Sequence, residues 1–245
     1  MTEILLCGLT VFLSFTLEVI TGFGGTVMAV SFVTALLGMH NGVVVLTLVA
    51  IIPQLSVVIR NFRKIDWRNY LIIVALMLPF LFVGRLLQST VDTAVLKRIL
   101  ACFIIAVSVF RLMQFFASRK KDGSEEPSQV RWYSYLALVG AGVIHGMFSS
   151  GGPLAIIYTS SAVKEKDSFR STMCLLWITF NTILVVSYLA EGSITADTGR
   201  TVLCLVPFLA AGIIAGNIIV SRVNEKVFSL VVYFCLLATG IFMLL

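Results

Sequence analysis

The sequence predicts an all-α integral membrane protein of two inverted repeats, each a glycine-broken helical hairpin followed by three transmembrane helices. Composition is the first observation behind this prediction. Of the 245 residues, 59% are hydrophobic and 12% are charged, whereas a soluble domain of this size needs more charge to cover its surface. The apolar residues also form long blocks instead of recurring at amphipathic spacing. A third observation, an internal repeat, indicates the two halves.

The apolar blocks have the length of membrane-spanning helices, which need roughly 20 mostly apolar residues. Only helices and closed barrels satisfy their backbone hydrogen bonds in lipid, and blocks this long and uniformly apolar favour helices. Two longer tracts, 4–38 and 133–163, are each interrupted near the middle by glycine. Each of the remaining blocks is predicted to cross the membrane once: 43–59, 69–88, 96–116, 171–190, 200–220 and 226–245.

A polar segment divides the chain into two halves that resemble each other. Motifs recur across it in the same order, 127 or 128 residues apart: Gly24-Gly25 and Gly151-Gly152, Pro79 and Pro207, Gly84 and Gly212. Matches that keep their order at a nearly constant spacing indicate a duplication. We therefore predict three regions: a first membrane repeat at 1–117, a cytoplasmic linker at 118–131 and a second membrane repeat at 132–245.

The basic residues distinguish two topologies for the glycine-broken tracts. If each tract crossed the membrane once, the basic loops at 60–68 and 117–131 would lie opposite those at 164–170 and 221–226. If each tract is a hairpin that returns to its starting side, most of the 18 basic residues share one face. Basic residues collect in cytoplasmic loops, so this pattern predicts hairpins. Each half then crosses an odd number of times and the halves are inverted, an architecture typical of secondary transporters.

The two glycine breaks are predicted to place helix N-termini near the middle of the membrane. Glycine permits the close backbone approach that such a break needs, and Pro153 suits the first turn of a new helix. The N–H groups and positive dipole ends of both half-helices would converge there and favour an anion. Tight helix packing by small residues is the alternative. The predicted binding residues at the breaks are Thr21, Gly22, Phe23, Gly24, Gly25, Thr26, Ser149, Ser150, Gly151, Gly152 and Pro153.

With these motifs the chain resembles the TauE/SafE family of sulfite and organosulfonate exporters. The resemblance rests on Gly22-Phe23-Gly24-Gly25 and on Gly142-x-x-x-Gly146-x-x-x-Ser150-Gly151-Gly152-Pro153. It includes the two proline–glycine pairs and the overall length, and so covers nearly the whole chain. It implies a plasma-membrane permease for a small anion, often one containing sulfur. The sequence departs from the family pattern in two places. The first motif lacks the downstream proline, and Ser149-Ser150 stands where more glycine is common. These departures bear on which anion is the substrate and less on the family.

Polar side chains at membrane depth are costly and therefore mark functional sites. Glu18 and His145 precede the two breaks at equivalent positions, and we expect them to carry a coupling proton, since histidine titrates near neutral pH. The alternative is that Glu18 faces a wet vestibule and His145 bonds a backbone carbonyl. Gln54 and Asn181 are also equivalent, and they either bind an oxyanion or join helices. Arg85 has no counterpart, and we expect it to snorkel to the outer interface; the alternative is that it attracts an anion into the outer mouth.

Together these features predict a secondary transporter that moves a small anion, sulfite or an organosulfonate, by alternating access. The absence of a G-x-x-x-x-G-K-[ST] motif argues against an ATP-driven pump. A passive anion channel of the same fold remains an alternative. An intramembrane hydrolase using Ser149 or Ser150 with His145 would lack an orienting acid, so we do not predict an enzyme.

The predicted location is the plasma membrane (a bacterial inner membrane), crossed several times, with the lipid bilayer, the small anion and a coupled proton as partners. A homodimer is one assembly open to such a protein. The net charge of +6 follows from cytoplasmic basic loops and does not indicate nucleic-acid binding. Neither a metal site nor another cofactor is predicted, because the cysteines are scattered singly: Cys7, Cys102, Cys174, Cys204 and Cys235.

Overall fold

A computed structural model of the protein describes residues 2–21, 25–118 and 130–219, with single positions of the last segment at 230, 233, 234, 237, 238, 240, 241 and 244. Within these residues all regular secondary structure is helical, which confirms the all-α prediction. The predicted linker at 118–131 and the last predicted crossing at 226–245 lie mostly outside the described residues.

Six helices in the described part are long and apolar enough to cross a membrane: α1 (Thr2–Thr21), α3 (Met39–Asn61), α4 (Trp67–Thr90), α5 (Thr93–Ser118), α8 (Lys166–Ala190) and α9 (Ala196–Ile219). A short 3-10 turn, Phe62–Lys64, continues α3. The five predicted single crossings between 43 and 220 coincide with α3, α4, α5, α8 and α9 to within a few residues.

Both longer tracts are broken, as predicted, at their glycines. The first forms α1 and then α2 (Gly25–Leu37), and the second forms α6 (Trp132–Phe148) and then α7 (Gly152–Ala162). The second helix of each tract packs against the first. A chain that turns back in this way leaves two helix ends inside the fold, where their unpaired backbone groups need other partners.

Polar caps fix the start of two long helices. The Asp66 carboxylate accepts a hydrogen bond from the Asn69 backbone N–H at the start of α4 (3.0 Å). The Glu165 carboxylate accepts one from the Ser168 N–H at the start of α8 (2.7 Å). An acidic side chain at a helix N-terminus satisfies an unpaired donor and complements the helix dipole.

Helices α3 and α8 run antiparallel to each other through the centre of the molecule. Lys64 forms an ion pair with Asp167 at one end, and His40 bonds to Ser193 beyond the other end (3.0 Å). Between the two ends, the Asn181 amide donates to the Gln54 side chain (3.4 Å). The pair therefore places two buried amides midway between the two faces of the protein.

Glycine lets two further helix pairs approach closely, α4 with α6 and α1 with α9. A Cβ at Gly84 of α4 would collide with the backbone of Val143 in α6. A Cβ at Gly212 of α9 would lie 3.2 Å from the Phe12 Cα in α1. Large apolar side chains such as Leu86 and Leu203 stay exposed on the outside. Small residues between helices and large apolar ones outside are typical of packing in lipid.

Candidate functional site

The break between α6 and α7 is built by three residues with different backbone roles. Ser149 ends α6 in the left-handed conformation (φ 50°, ψ 31°), and its N–H donates to the His145 carbonyl (2.8 Å). Gly151 caps α7, and Pro153 occupies its first turn, where a missing N–H costs nothing. A left-handed residue commonly ends a helix but is usually glycine. Ser149 therefore stands at a position where the backbone conformation would favour glycine.

The two breaks hold their hairpins closed by the same kind of contact. A Cβ on Gly25 would collide with the Ser14 carbonyl and lie 2.8 Å from the Glu18 Cβ. A Cβ on Gly151 would collide with the Ala141 carbonyl and lie 2.9 Å from the His145 Cβ. Each half-helix can therefore meet its partner this closely only because glycine stands at the contact.

A cavity of about 90 Å³ lies between the hairpins and the central helix pair. A site needs about 10–15 Å³ of such volume to hold one water molecule, so the space suits a ligand of several heavy atoms. Predicted site residues from both halves line it: Glu18, Thr26, Gln54, His145, Ser149, Ser150, Gly152, Pro153 and Asn181. The structure thus brings together residues that are far apart in sequence. Gly25 and Gly151 form the close backbone contacts next to this cavity.

Four predicted residues of the first break are not positioned. Gly22, Phe23 and Gly24 lie outside the described residues, as does the side chain of Thr21.

A hydrogen-bonded chain orients the amides in the cavity. The Gly151 N–H donates to His145 Nδ1 (3.4 Å), so Nε2 carries the proton and donates to Asn181 Oδ1 (3.2 Å). Asn181 in turn donates to Gln54 Oε1. The Gln54 amide nitrogen donates no hydrogen bond within the described residues, and it can serve a bound acceptor.

His145 is buried and held in one orientation. The Trp177 ring stacks on it, with the ring centroids 4.9 Å apart. Its ring accepts a backbone N–H at the break, whereas the alternative expected from the sequence was a bond to a carbonyl. Both ring nitrogens are engaged away from the serine hydroxyls. This geometry offers no support for a Ser/His catalytic pair.

The helix N-termini at the two breaks differ, although the sequence predicts that both face an anion. Glu18 accepts a hydrogen bond from the Thr26 hydroxyl (3.0 Å) and one from the Thr26 backbone. The α2 N-terminus therefore already holds a carboxylate. At the α7 N-terminus, the Ser150 hydroxyl is buried (2% exposed) and finds no partner among the described residues. Ser14, beside the α2 N-terminus, also has a buried hydroxyl without a partner in the described part of the chain, but of the two serines it is Ser150 that lines the cavity.

Arg170 also lines the cavity, and it was not among the predicted site residues. It is exposed near the start of α8, in the basic loop region. Arg170, Cys174, Trp177 and Asn181 all border the cavity at helical spacing, which places them on one face of α8. That spacing from Asn181 was the available signal in the sequence. Arg170 gives the mouth of the cavity a positive charge.

Arg85 does not snorkel to the interface as predicted. Its side chain is only 7% exposed and forms an ion pair with Glu191. The guanidinium also lies 4.5 Å from the centroid of the Tyr188 ring. The Glu191 carboxylate and the face of the Tyr188 ring together stabilise this charge.

A family model described as Sulfite exporter TauE/SafE matches residues 7–243 of the chain. No curated protein and no solved structure matches the chain. The match spans both glycine breaks and every residue that lines the cavity.

Proposed function

Because the chain belongs to the TauE/SafE sulfite exporter family of membrane transporters, we propose that it exports a small anion, sulfite or an organosulfonate, as a secondary transporter. It is a multi-pass membrane protein, with six apolar helices in its described part. We assign it to the plasma membrane, a bacterial inner membrane. The substrate class follows from the family and from the chemistry of the cavity.

The observation that carries the proposal is the unpartnered Ser150 hydroxyl at the start of α7. The first turn of a helix presents unpaired N–H groups and a partial positive charge, which together attract anions. The amides of Gln54 and Asn181 border the same cavity. A small oxyanion bound there would accept hydrogen bonds from the hydroxyl, the amides and the helix end. Such donors are worth more in a cavity that excludes bulk water.

Arg170 supports loading from the cytoplasm. It lies at the cavity mouth, at the end of α8 where Lys64 and Asp167 pair. This end carries the basic loops, which the positive-inside rule assigns to the cytoplasm. A positive charge at the mouth raises the local concentration of anions and speeds their entry. We therefore propose that this conformation is the inward-facing state of an exporter.

Glu18 supports coupling to protons. Its carboxylate borders the cavity that would hold the anion, and two negative charges so close repel each other. Protonation of Glu18 would remove this repulsion, so proton and anion would bind together. His145 contributes by positioning Asn181 in its neutral form. The sequence led us to expect that Glu18 and His145 both carry the coupling proton. We now propose that Glu18 carries it and that His145 positions Asn181.

Contacts at equivalent positions support two inverted repeats at 1–117 and 132–245, joined by the linker. Gly25 meets Glu18 and Gly151 meets His145, so the two breaks close on equivalent residues, Glu18 and His145, although the contacting glycine is shifted by one position between the halves. Gly84 approaches Val143, and the Gly212 carbonyl correspondingly accepts from Thr16 (3.1 Å). Gln54 and Asn181, 127 residues apart, bond directly to each other. Equivalent residues on antiparallel helices meet in this way at a pseudo-twofold axis in the membrane plane. Alternating access would follow from rocking about that axis.

A matched pair of glycine variants tests the binding site. A leucine at Gly152 would project toward Trp177, which lies 3.8 Å from the position of a Cβ, and would fill the cavity. Gly199, in the first turn of α9, has open space around it and serves as the control. Sulfite at about 100 times its Kd should stabilise the native protein and Gly199→Leu by about 2.7 kcal/mol. Gly152→Leu should gain nothing. Equal stabilisation of all three proteins would refute this site.

A passive channel is the competing function, and flux in proteoliposomes separates it from a carrier. Saturable sulfite flux that responds to an imposed proton gradient supports the carrier. Flux that rises linearly with sulfite concentration and ignores the proton gradient supports the channel. Absence of sulfite or sulfonate flux in a reconstituted protein that folds correctly would remove the substrate assignment.

A further inference from the structure

A second polar cluster lies at the opposite end of α8 from Arg170. It is formed by Arg85 and Gln88 near the end of α4 with Tyr188 and Glu191 near the end of α8. Arg85 donates to Gln88 Oε1 (2.6 Å) and pairs with the Glu191 carboxylate. The Tyr188 hydroxyl donates to the same Gln88 oxygen (3.3 Å). Glu191 is 41% exposed, so the cluster reaches the surface on this side.

The cluster contains more hydrogen-bond donors than acceptors. Arg85 Nε and Gln88 Nε2 are both buried and have no acceptor among the described residues. Buried donors without partners are rare in folded proteins and cost about 1–3 kcal/mol each. One of these donors belongs to the Arg85 guanidinium and the other to the neighbouring Gln88 amide, and together they are complementary to an oxyanion, which offers several acceptor oxygens at once. The Glu191 carboxylate pairs with Arg85 but leaves Arg85 Nε and Gln88 Nε2 without an acceptor in the described part of the chain.

Polar groups connect this cluster with the central cavity. Ser149, which lines the cavity, hydrogen-bonds to Thr47 (2.5 Å). The Thr47 side chain lies next to the Tyr188 hydroxyl, which bonds to Gln88. These side chains are buried, and their hydroxyl and amide groups form one continuous polar route. An anion that moves from the cavity toward the outer surface would find hydrogen-bonding groups along this line.

We infer that Arg85 and Gln88 form a second, outer anion-binding site, occupied in this conformation by the Glu191 carboxylate. The inference rests on the proposed function, because it places the outer half of the same transport route. Glu191 acts as a tethered anion that closes the route. A departing substrate anion displaces it from Arg85, and the return of Glu191 releases the substrate to the outside.

Replacement of the tethered carboxylate should expose the outer site. Native protein should bind one sulfite per chain by isothermal titration calorimetry, and Glu191→Gln should bind two. Asp167→Asn, which breaks the exposed Lys64 ion pair at the cytoplasmic end, is the matched control and should still bind one. A Glu191→Gln protein that binds one sulfite, with the native affinity, would overturn the inference.

The Gly152→Leu background separates this inference from the proposed function. With the central cavity filled, Glu191→Gln/Gly152→Leu should bind one sulfite at the outer site alone. If this protein binds none while native protein binds one, the outer site is wrong and the central site stands. If it binds one while native protein binds none, the central site is wrong and the outer site stands.

A double variant covers the case in which Glu191→Gln does not fold because Arg85 loses its partner. Removal of Glu191 alone leaves the buried Arg85 charge unpaired, whereas removal of both charges does not, so Arg85→Gln/Glu191→Gln should fold. If Arg85 binds the departing anion, sulfite flux should fall roughly tenfold or more while the Kd of the central site is unchanged. If the pair is only structural, the neutral pair restores native flux and the inference fails.

Discussion

Ser149 combines an unfavourable backbone conformation with a useful side chain. Its left-handed φ of 50° would suit glycine, yet its hydroxyl bonds to Thr47. Strained residues cost of order 1–3 kcal/mol and persist where the surrounding structure holds them, often at functional sites. The hydroxyl lies on the proposed polar route from the cavity toward Arg85, which gives serine a function at a position where the backbone would suit glycine.

Substitution of Ser149 should separate the strain from the hydrogen bond. Ser149→Ala loses the bond to Thr47 and keeps the left-handed backbone, whereas Ser149→Gly loses the bond and relieves the strain. We expect Ser149→Gly to be more stable than Ser149→Ala by about 1 kcal/mol, measured by thermal unfolding in detergent. Equal stabilities would mean that the backbone at this position is not strained.

Glu18 and His145 occupy equivalent positions but complete their breaks in different ways. Glu18 brings a charge to the α2 N-terminus, and His145 accepts the Gly151 N–H with a neutral ring. Both residues accept a backbone hydrogen bond. A carboxylate has a second oxygen that can take a proton, whereas a proton on His145 Nδ1 would break its bond to Gly151.

Glu18→Gln should remove the pH dependence of anion binding. Methanesulfonate is a suitable probe, because its own charge is constant from mildly acidic to mildly alkaline solution. We expect native protein to bind it more tightly as the pH falls, since protonation of Glu18 removes a repulsive charge. Glu18→Gln should bind it tightly at every pH. A native affinity that is constant with pH would exclude Glu18 as the coupling group.

The α6–α7 hairpin depends on one of its two adjacent glycines far more than on the other. Gly151 faces the backbone of Ala141 in close contact, whereas Gly152 faces open space up to Trp177. The hairpin geometry therefore requires glycine at Gly151 alone. The sequence presents the two as a pair, and only the direction of each Cβ distinguishes them.

Alanine at each of these positions should give opposite results. Gly151→Ala should destabilise the protein by about 1–3 kcal/mol, because the added methyl group overpacks the contact with α6. Gly152→Ala should be neutral or slightly stabilising, because it begins α7 without a clash and alanine favours helix. Thermal unfolding of both variants measures the difference. A Gly151→Ala protein as stable as the native one would show that the hairpin is looser than described.

The sequence predicts helix positions well because lipid imposes a simple rule on them. A crossing needs a long apolar block, so α3, α4 and α8 could be located from hydropathy alone. The breaks could be located because glycine and proline have specific backbone preferences. The pairing of Gln54 with Asn181 could be anticipated because the repeat spacing relates them.

Other features of the site depend on tertiary contacts that no local pattern encodes. Arg85 is charged and lies near the end of a helix, and such residues usually reach the interface. Its burial depends on Glu191, which is 106 residues away in sequence. The bond between Glu18 and Thr26 likewise requires the α1–α2 hairpin to close. The sequence shows that Arg85 and Glu18 are charged residues that are costly to bury. Only the fold shows which partner offsets the cost of burying each one.

Cys174 can report on which side of the membrane the cavity opens. It lines the cavity near Arg170, so in a variant without other cysteines a membrane-impermeant thiol reagent should label it from the cytoplasmic side. Sulfite should slow this labelling, because the bound anion obstructs access. Labelling from the outer side alone would reverse the proposed orientation.

The direct contact between Gln54 and Asn181 bears on the origin of the molecule. If the two halves descend from one ancestor, its half-length chain would have paired with an inverted copy of itself. The residue at this position would then have met its own copy, and every substitution would have changed both walls of the cavity together. Once the two copies were fused into one chain, each half could change independently of the other. Gln54 could diverge from Asn181, and Glu18 from His145, until one break carried a carboxylate and the other an imidazole.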